Sequence, residues 1–337
     1  MINFCTLFDS SYIDKGIALY ESLEKYTNDF CLYIFCFDEK TYRVLLDINF
    51  KNAIIINIKQ IEDDILLKKK KERSRAEYCW TCTPIIIEHV LLNYKVKSCT
   101  YIDSDIFFFG SPEILIKEIE DNNADVCIVP HRFNNDSEGR RLEDKSGKYC
   151  VEFNYFKNNR NGLSVLRWWK NKCLDWCFDI SEVDRMGDQK YLCYFETNFE
   201  NVYILDNLGG GVAPWNIKQY KLVSNNNGEV ILNDKNIGDF KLIFYHFQNI
   251  RYFNKNYVNI KSMTNDVLLK SSLYYPYLKI IEEIRDMLRN KYDICFHSSK
   301  LGLSSNQLLG FLQSNFAAYK IRYLSDIVNL NKIRNNY

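Results

Sequence analysis

Asp103 and Asp105 stand two residues apart in the run Cys99-Thr-Tyr-Ile-Asp-Ser-Asp-Ile-Phe-Phe-Phe109, where most of their neighbours are apolar. Carboxylates in a buried strand are costly unless a cation or basic side chains compensate them. A pair of them offers hard oxygen ligands suited to Mg²⁺ or Mn²⁺, ions that complete their shells with water and substrate phosphates. An exposed strand end is the plain alternative, and the apolar flanks argue against it.

The elements that must position such a pair alternate. Strand patterns cover 3–8, 31–37, 53–58, 100–102 and 126–129, and between the first two Ile13, Ile17, Tyr20 and Leu23 recur at helical spacing behind the capping candidates Ser10 and Ser11. A second helix reads from Thr83 as N-cap with Pro84 at its first position, and a third starts the same way at Ser111 and Pro112. This rhythm predicts an α/β fold with a mostly parallel twisted sheet flanked by helices, whose ligands bind beyond the carboxyl ends of the strands. Asp9 and Asp103 both fall at such ends. The polar stretch 131–148 reads as a long loop, 162–177 as a helix, 224–238 as a hairpin or surface excursion, and the chain beyond about 254 as helical to its end.

The 337 residues, 47% hydrophobic and 26% charged, predict a substantial core rather than disorder. Net charge is +1, yet from Arg251 onward thirteen Lys/Arg face six Asp/Glu, a net of +7, which leaves −6 before it. Nucleic-acid binding is therefore not expected of the main body. Twelve cysteines, with a strand pattern directly after Met1, point to a reducing cytoplasm. Cys79 and Cys82 form a lone C-x-x-C without a second pair, so buried thiols are the simpler reading.

Five blocks, Thr6-Leu-Phe8-Asp9-Ser-Ser-Tyr12, Trp80-Thr-Cys-Thr-Pro84, Asp103-Ser104-Asp105, Gly187-Asp-Gln-Lys-Tyr-Leu192, and Ala213-Pro-Trp-Asn216 followed by Tyr245-His-Phe247, carry a further signal. In their order and spacing the chain resembles the nucleotide-diphospho-sugar glycosyltransferases of the GT-A fold. It looks most like the family 8 branch of glycogenin and the lipopolysaccharide galactosyltransferases. The resemblance implies a GT-A catalytic domain over 1–253 and a helical C-terminal extension over 254–337. Thr6, Phe8, Asp9, Tyr12, Asp103 and Ser104 become donor contacts, with Tyr12 offering a face to the base and Arg75 reaching the diphosphate. Asp103, Asp105 and His246 become ligands of Mn²⁺ (or Mg²⁺), and Asp188 and Gln189 become candidate catalytic residues near the donor sugar. Without the resemblance His246 reads as a satisfied core histidine and Trp80 as core. Gly211 closes a Gly-Gly-Gly turn that lets backbone approach a sugar, and Trp215 offers a stacking face, so both are acceptor candidates. Two departures stand out. Relatives commonly show Asn-x-Gly-Phe where this chain has Cys150-Val-Glu152-Phe153, which makes Glu152 an unexpected, candidate catalytic carboxylate. Arg251 is the candidate substitute for a lysine that neutralises the departing phosphate.

The activity implied is metal-dependent transfer from a nucleoside diphosphate sugar, UDP-sugar foremost, to a hydroxyl of a glycan or lipid-linked acceptor in bacterial surface glycan synthesis, with retention. Sugar-phosphate nucleotidyltransfer is the rival enzyme class, but it calls for a Gly-rich, Arg-bearing loop after the first strand that Asp9-Ser-Ser-Tyr12 does not provide. A non-catalytic nucleotide-sugar-binding module is the other. Leu308, Leu312, Phe316, Tyr319, Tyr323 and Ile327 form an apolar helical stripe, which with the +7 charge suggests peripheral contact with the cytoplasmic face of the inner membrane.

Overall fold

Strand β1 (Ile2–Phe8) divides its side chains between two apolar layers, Phe4 and Phe8 on one side, Cys5 and Leu7 on the other. A period of two with both faces apolar is what a strand covered on both sides requires. In the computed structural model, which describes residues 1–226, 228–253, 256–296 and 326–336, β1 lies inside a seven-stranded sheet. Next in the chain come β2 (Phe30–Cys36), β3 (Ala53–Asn57), β4 (Ser98–Ile102), the separate short β5 (Ile106–Phe108), β6 (Val126–Pro130), β7 (Tyr149–Lys157) and β8 (Val202–Ile204). The sheet order is β3-β2-β1-β4-β7-β6-β8; every pairing is parallel except those of β7, which runs against both β4 and β6.

Helices α1 (Ile13–Tyr26), α2 (Glu39–Ile48), α3 (Asp64–Glu72), α4 (Arg75–Asn93), α5 (Glu113–Asp121), α6 (Ser137–Ser146), α7 (Arg160–Asp175) and the short α8 (Phe195–Asn198) follow in order. The cores on the two faces separate them: α1, α2 and α5 contribute to the layer of Phe4, and α3, α4 and α7 to that of Cys5. The predicted α/β architecture is thus present.

Several expected boundaries move. Helix α4 begins eight residues before Thr83, because Ser74 and Glu77 form a reciprocal capping box, and Pro84 lies inside the helix. Neither Ser10 nor Ser11 caps α1, whose N-cap is Tyr12 without a side-chain bond. The stretch read as a loop contains α6, capped by Asp136. The expected hairpin is a three-stranded meander, β9 (Tyr220–Asn226), β10 (Glu229–Asp234) and β11 (Gly238–Lys241).

After β12 (Phe244–His246) the chain is not uniformly helical. β13 (Arg251–Tyr252), β14 (Tyr257–Asn259) and β15 (Ile327–Asn329) make a small antiparallel sheet, with helices α9 (Val267–Tyr292) and α10 (Leu330–Asn336) beside it. Leu308, Leu312, Phe316, Tyr319 and Tyr323 lie outside the described residues, while Ile327 opens β15 rather than continuing a helix. Among the described residues no helix is long and apolar enough to cross a membrane. α9 packs on the strand that carries His246: the Tyr277 ring stacks on Phe247 at 3.8 Å, and the Tyr274 and Tyr245 hydroxyls are 2.9 Å apart.

Candidate active site

The turn between β4 and β5 holds the paired carboxylates. The Ile106 N–H donates to the Asp103 carbonyl at 3.2 Å, and β5 then pairs antiparallel with β12, setting His246 opposite Ile106. The Phe247 N–H closes the arrangement by donating to the Asp105 carbonyl at 2.9 Å. Main-chain bonds therefore bring together groups 141 residues apart. His246 Nε2 lies 3.0 Å from Asp105 Oδ1 and 3.7 Å from Asp103 Oδ2.

Ligand atoms of Asp103, Asp105 and His246 all fall within 4.8 Å of one another, a group that could hold a metal ion. The donor chemistry fits, since two carboxylates and an imidazole suit Mn²⁺ or Mg²⁺. Local electrostatics point the same way. Burial, and repulsion from Asp105, push the Asp103 carboxyl up to about 6 despite the pull of His246 and the bond from the Tyr101 hydroxyl, so the site holds more negative charge than its surroundings solvate. Burial would also raise Asp105, but His246 holds it below the ordinary range. His246 is conversely held well above its usual value, against burial, by Asp105.

Two adjoining cavities of about 510 and 400 Å³ meet at this wall, sharing Trp80, Thr83, Tyr101, Asp103 and His246. The larger is lined by Phe8, Asp9, Tyr12, Arg75, Ser104 and Asp105. Arg75 bonds Asp9 and lies 3.5 Å from Asp38, so the first residue of α4 is tied to the end of β1. Tyr12 is 42% exposed and carries the Lys15 ammonium over its ring at 3.9 Å. Thr6 is fully buried and stands on neither wall.

The smaller cavity is lined by Asp188, Gln189, His131, Trp215 and residues of α6. Asp188 is buried, its Oδ2 without a hydrogen bond among the described residues, and burial together with the charge of Asp103 pushes its carboxyl up to about 8. The Gln189 amide donates to the Ser146 carbonyl at 2.9 Å, anchoring the end of α6. Trp215 meets His246 edge to face at 5.4 Å and donates to the His131 carbonyl at 3.0 Å. Asn216 pins the same turn through the carbonyls of His131 and Gly211.

The structure thus gathers Phe8, Asp9, Tyr12, Arg75, Ser104 and Asp105 on one side, and Asp188, Gln189 and Trp215 on the other, with Asp103 and His246 between them. Gly211 sits behind this wall, Glu152 is fully buried away from both cavities, and Arg251 is exposed on β13 outside both linings. Trp80 packs against the core on the Cys5 face, as expected, and also walls both cavities. His131, Gln248 and Asn249 were not singled out as site residues from sequence; as ordinary polar residues at strand ends they carry no pattern of their own.

The architecture is the GT-A fold. The galactosyltransferase LgtC, solved in complex with donor and acceptor sugar analogs, superposes with a TM-score of 0.50 over 86% of this chain and 100% of that chain, at 11% identity. No family model matches the chain. It is 32% identical over 259 residues to the uncharacterized protein YfnF of Bacillus subtilis (strain 168), spanning 75% of this chain and 83% of YfnF, and it belongs to the same family. A second protein of that strain, the uncharacterized YfnD, is 26% identical over 296 residues, spanning 86% of this chain and 92% of YfnD.

Proposed function

We propose that this protein is a glycosyltransferase that moves a sugar from a nucleoside diphosphate sugar, UDP-sugar foremost, to a hydroxyl acceptor. The observation that carries this reading is the Asp103, Asp105 and His246 group at the carboxyl edge of a GT-A sheet, on the wall shared by two cavities. One cavity has the makings of a nucleotide side, with the aromatic face of Tyr12 and the cation of Arg75. The other has the makings of a sugar and acceptor side, with the amide of Gln189, the carboxyl of Asp188 and the indole of Trp215.

The chemical difficulty of the reaction is the departing diphosphate. A divalent cation bound there, Mn²⁺ or Mg²⁺, supplies positive charge to the diphosphate oxygens. Asp103, Asp105 and His246 would hold that cation, and Arg75, paired with Asp9 on the same wall, would offer its guanidinium to the donor phosphates. Burial and the charge of Asp103 raise the Asp188 carboxyl, which suits it to hydrogen-bond a sugar hydroxyl. No other base is required for retention, since the departing phosphate oxygen accepts the acceptor's proton on the face where it leaves. Each such electrostatic contact contributes about 3 kcal/mol to the transition state, roughly a hundredfold in rate. The acceptor is a glycan or lipid-linked glycan of bacterial surface polymer synthesis, met at the cytoplasmic face of the membrane.

Release of free nucleotide from a panel of UDP-, GDP- and CMP-sugars, with Mn²⁺ and with EDTA, tests the reading. Metal-dependent turnover of a UDP-sugar is expected. Tight metal-dependent binding with no turnover of any donor would replace the enzyme by a binding module.

A further inference from the structure

Glu152 is a carboxylate at the middle of a core strand, and the substrate cavities do not account for it. Its side chain is fully buried and lines neither of them. Its Oε2 lies 2.8 Å from Nδ1 of His246, the nitrogen on the far side of the ring from Asp105. A carboxylate paired this way accepts the hydrogen bond, so Nδ1 carries a proton; Nε2 faces the Asp105 carboxylate at 3.0 Å, and its proton is the one that a cation bound between the aspartates would displace.

Position is fixed from both ends. The Glu152 carbonyl accepts from the Asp103 N–H at 3.1 Å, so the strand that holds His246 by its side chain also holds the first aspartate by its backbone. Gly211, with φ +96°, leaves space beside Oε1, since a Cβ there would stand only 3.2 Å from it. Trp215 confines the imidazole edge to face at 5.4 Å.

We propose that Glu152 is a positioning residue that keeps His246 in the Nδ1–H tautomer and aims Nε2 at the space between Asp103 and Asp105, presetting the imidazole as a metal ligand. The proposal rests on the metal reading above. It gives a role to the residue that breaks the Asn-x-Gly-Phe pattern: the carboxylate serves the histidine and does not touch substrate. Partners of this kind orient the ring and raise its basicity, and their loss costs roughly 10- to 100-fold in metal affinity.

The test is calorimetric titration of Mn²⁺ into wild type, Glu152→Gln, Glu152→Leu and Asp105→Asn, with melting temperatures recorded without metal. Glutamine keeps an acceptor for Nδ1–H and leucine does not. The expected order of affinity is wild type, then Glu152→Gln within about threefold, then Glu152→Leu weaker by about 10- to 100-fold. A folded Glu152→Leu that binds Mn²⁺ like wild type while Asp105→Asn does not would overturn the proposal and leave the metal reading standing. Wild type that ignores Mn²⁺ would overturn both. Should Glu152→Leu fail to fold, ¹⁵N-histidine spectra of wild type saturated with Mg²⁺ decide: a proton on Nδ1 of His246 is expected, and a proton on Nε2 overturns the proposal.

Discussion

Arg285 of α9 donates its Nε–H to Oδ2 of Asp14 on α1 at 2.6 Å, and both side chains are buried. The guanidinium also lies over the Tyr252 ring at 3.4 Å. This pair joins the helix that begins beside the nucleotide-side cavity to the helix that backs the His246 strand. Asp14→Asn is expected to cost about 3 kcal/mol, because it strands a buried cation. Burial opposes ionisation of Asp14, but Lys15 and Arg285 hold its carboxyl below the usual range. A depressed folded-state value stabilises the protein at any pH above the unfolded carboxylate's own, near 3.9, and that stability fades as pH falls through the folded value. Urea unfolding at pH 7 should therefore show the full difference between wild type and variant, and unfolding below about pH 4 a smaller one. A difference independent of pH would mean that the pair contributes through packing alone.

Asp188→Asn should move stability the other way. Burial, with Asp103 nearby, holds the folded carboxyl up at about 8, whereas the unfolded one titrates near 3.9. Between those values the folded state binds the extra proton, so wild-type stability drops as pH rises through the window. The amide cannot ionise, and the variant is expected to gain on the order of 2 kcal/mol over wild type at pH 7 without metal, with the gain shrinking toward pH 4. Transfer should fall by less than about tenfold, because the asparagine NH2 still offers a hydrogen-bond donor where the carboxyl stood. Thermal melts across pH 4 to 8 read the first outcome; a flat difference contradicts it.

Gly211→Ala is expected to destabilise by about 2 kcal/mol, through a left-handed backbone and overpacking together. With φ at +96°, its new Cβ would stand 2.6 Å from Cγ1 of Val129 and 2.8 Å from the Arg132 guanidinium. Arg132 cannot withdraw easily, since it donates to the carbonyls of Gly210 and Leu205. An unchanged urea midpoint would show that the Gly-Gly-Gly turn is an open loop.

What the sequence disclosed of this site is uneven, for physical reasons. Asp103 and Asp105 were legible because two carboxylates stand out in so apolar a run, although they occupy the turn between β4 and β5 rather than a strand. The placement of Asp9 followed from the parallel sheet rule. His246 was legible only through resemblance: its partner β5 is three residues long, and pairing between strands so far apart in the chain leaves no periodic trace. The start of α4 was misplaced because Pro84 looked like a first helical residue, although Ser74 and Glu77 already spelled the capping box that places the start earlier. Glu152 showed as a departure without a direction, since which face of β7 meets His246 depends on strand order, and strand order is a tertiary fact. The strands β14 and β15 escaped notice because each is only three residues long among helical neighbours.

The central claim is that Asp103, Asp105 and His246 hold a divalent cation that receives the donor diphosphate. Calorimetric titration of UDP into the protein with and without Mn²⁺, on wild type, Asp105→Asn and His246→Ala, tests it most directly. Metal-dependent UDP binding is expected in wild type, lost in Asp105→Asn because a ligand charge is removed without a change in volume. His246→Ala should be weakened less, because a neutral imidazole ligand donates without contributing charge. UDP binding that is indifferent to Mn²⁺, or equal in wild type and Asp105→Asn, would contradict the account.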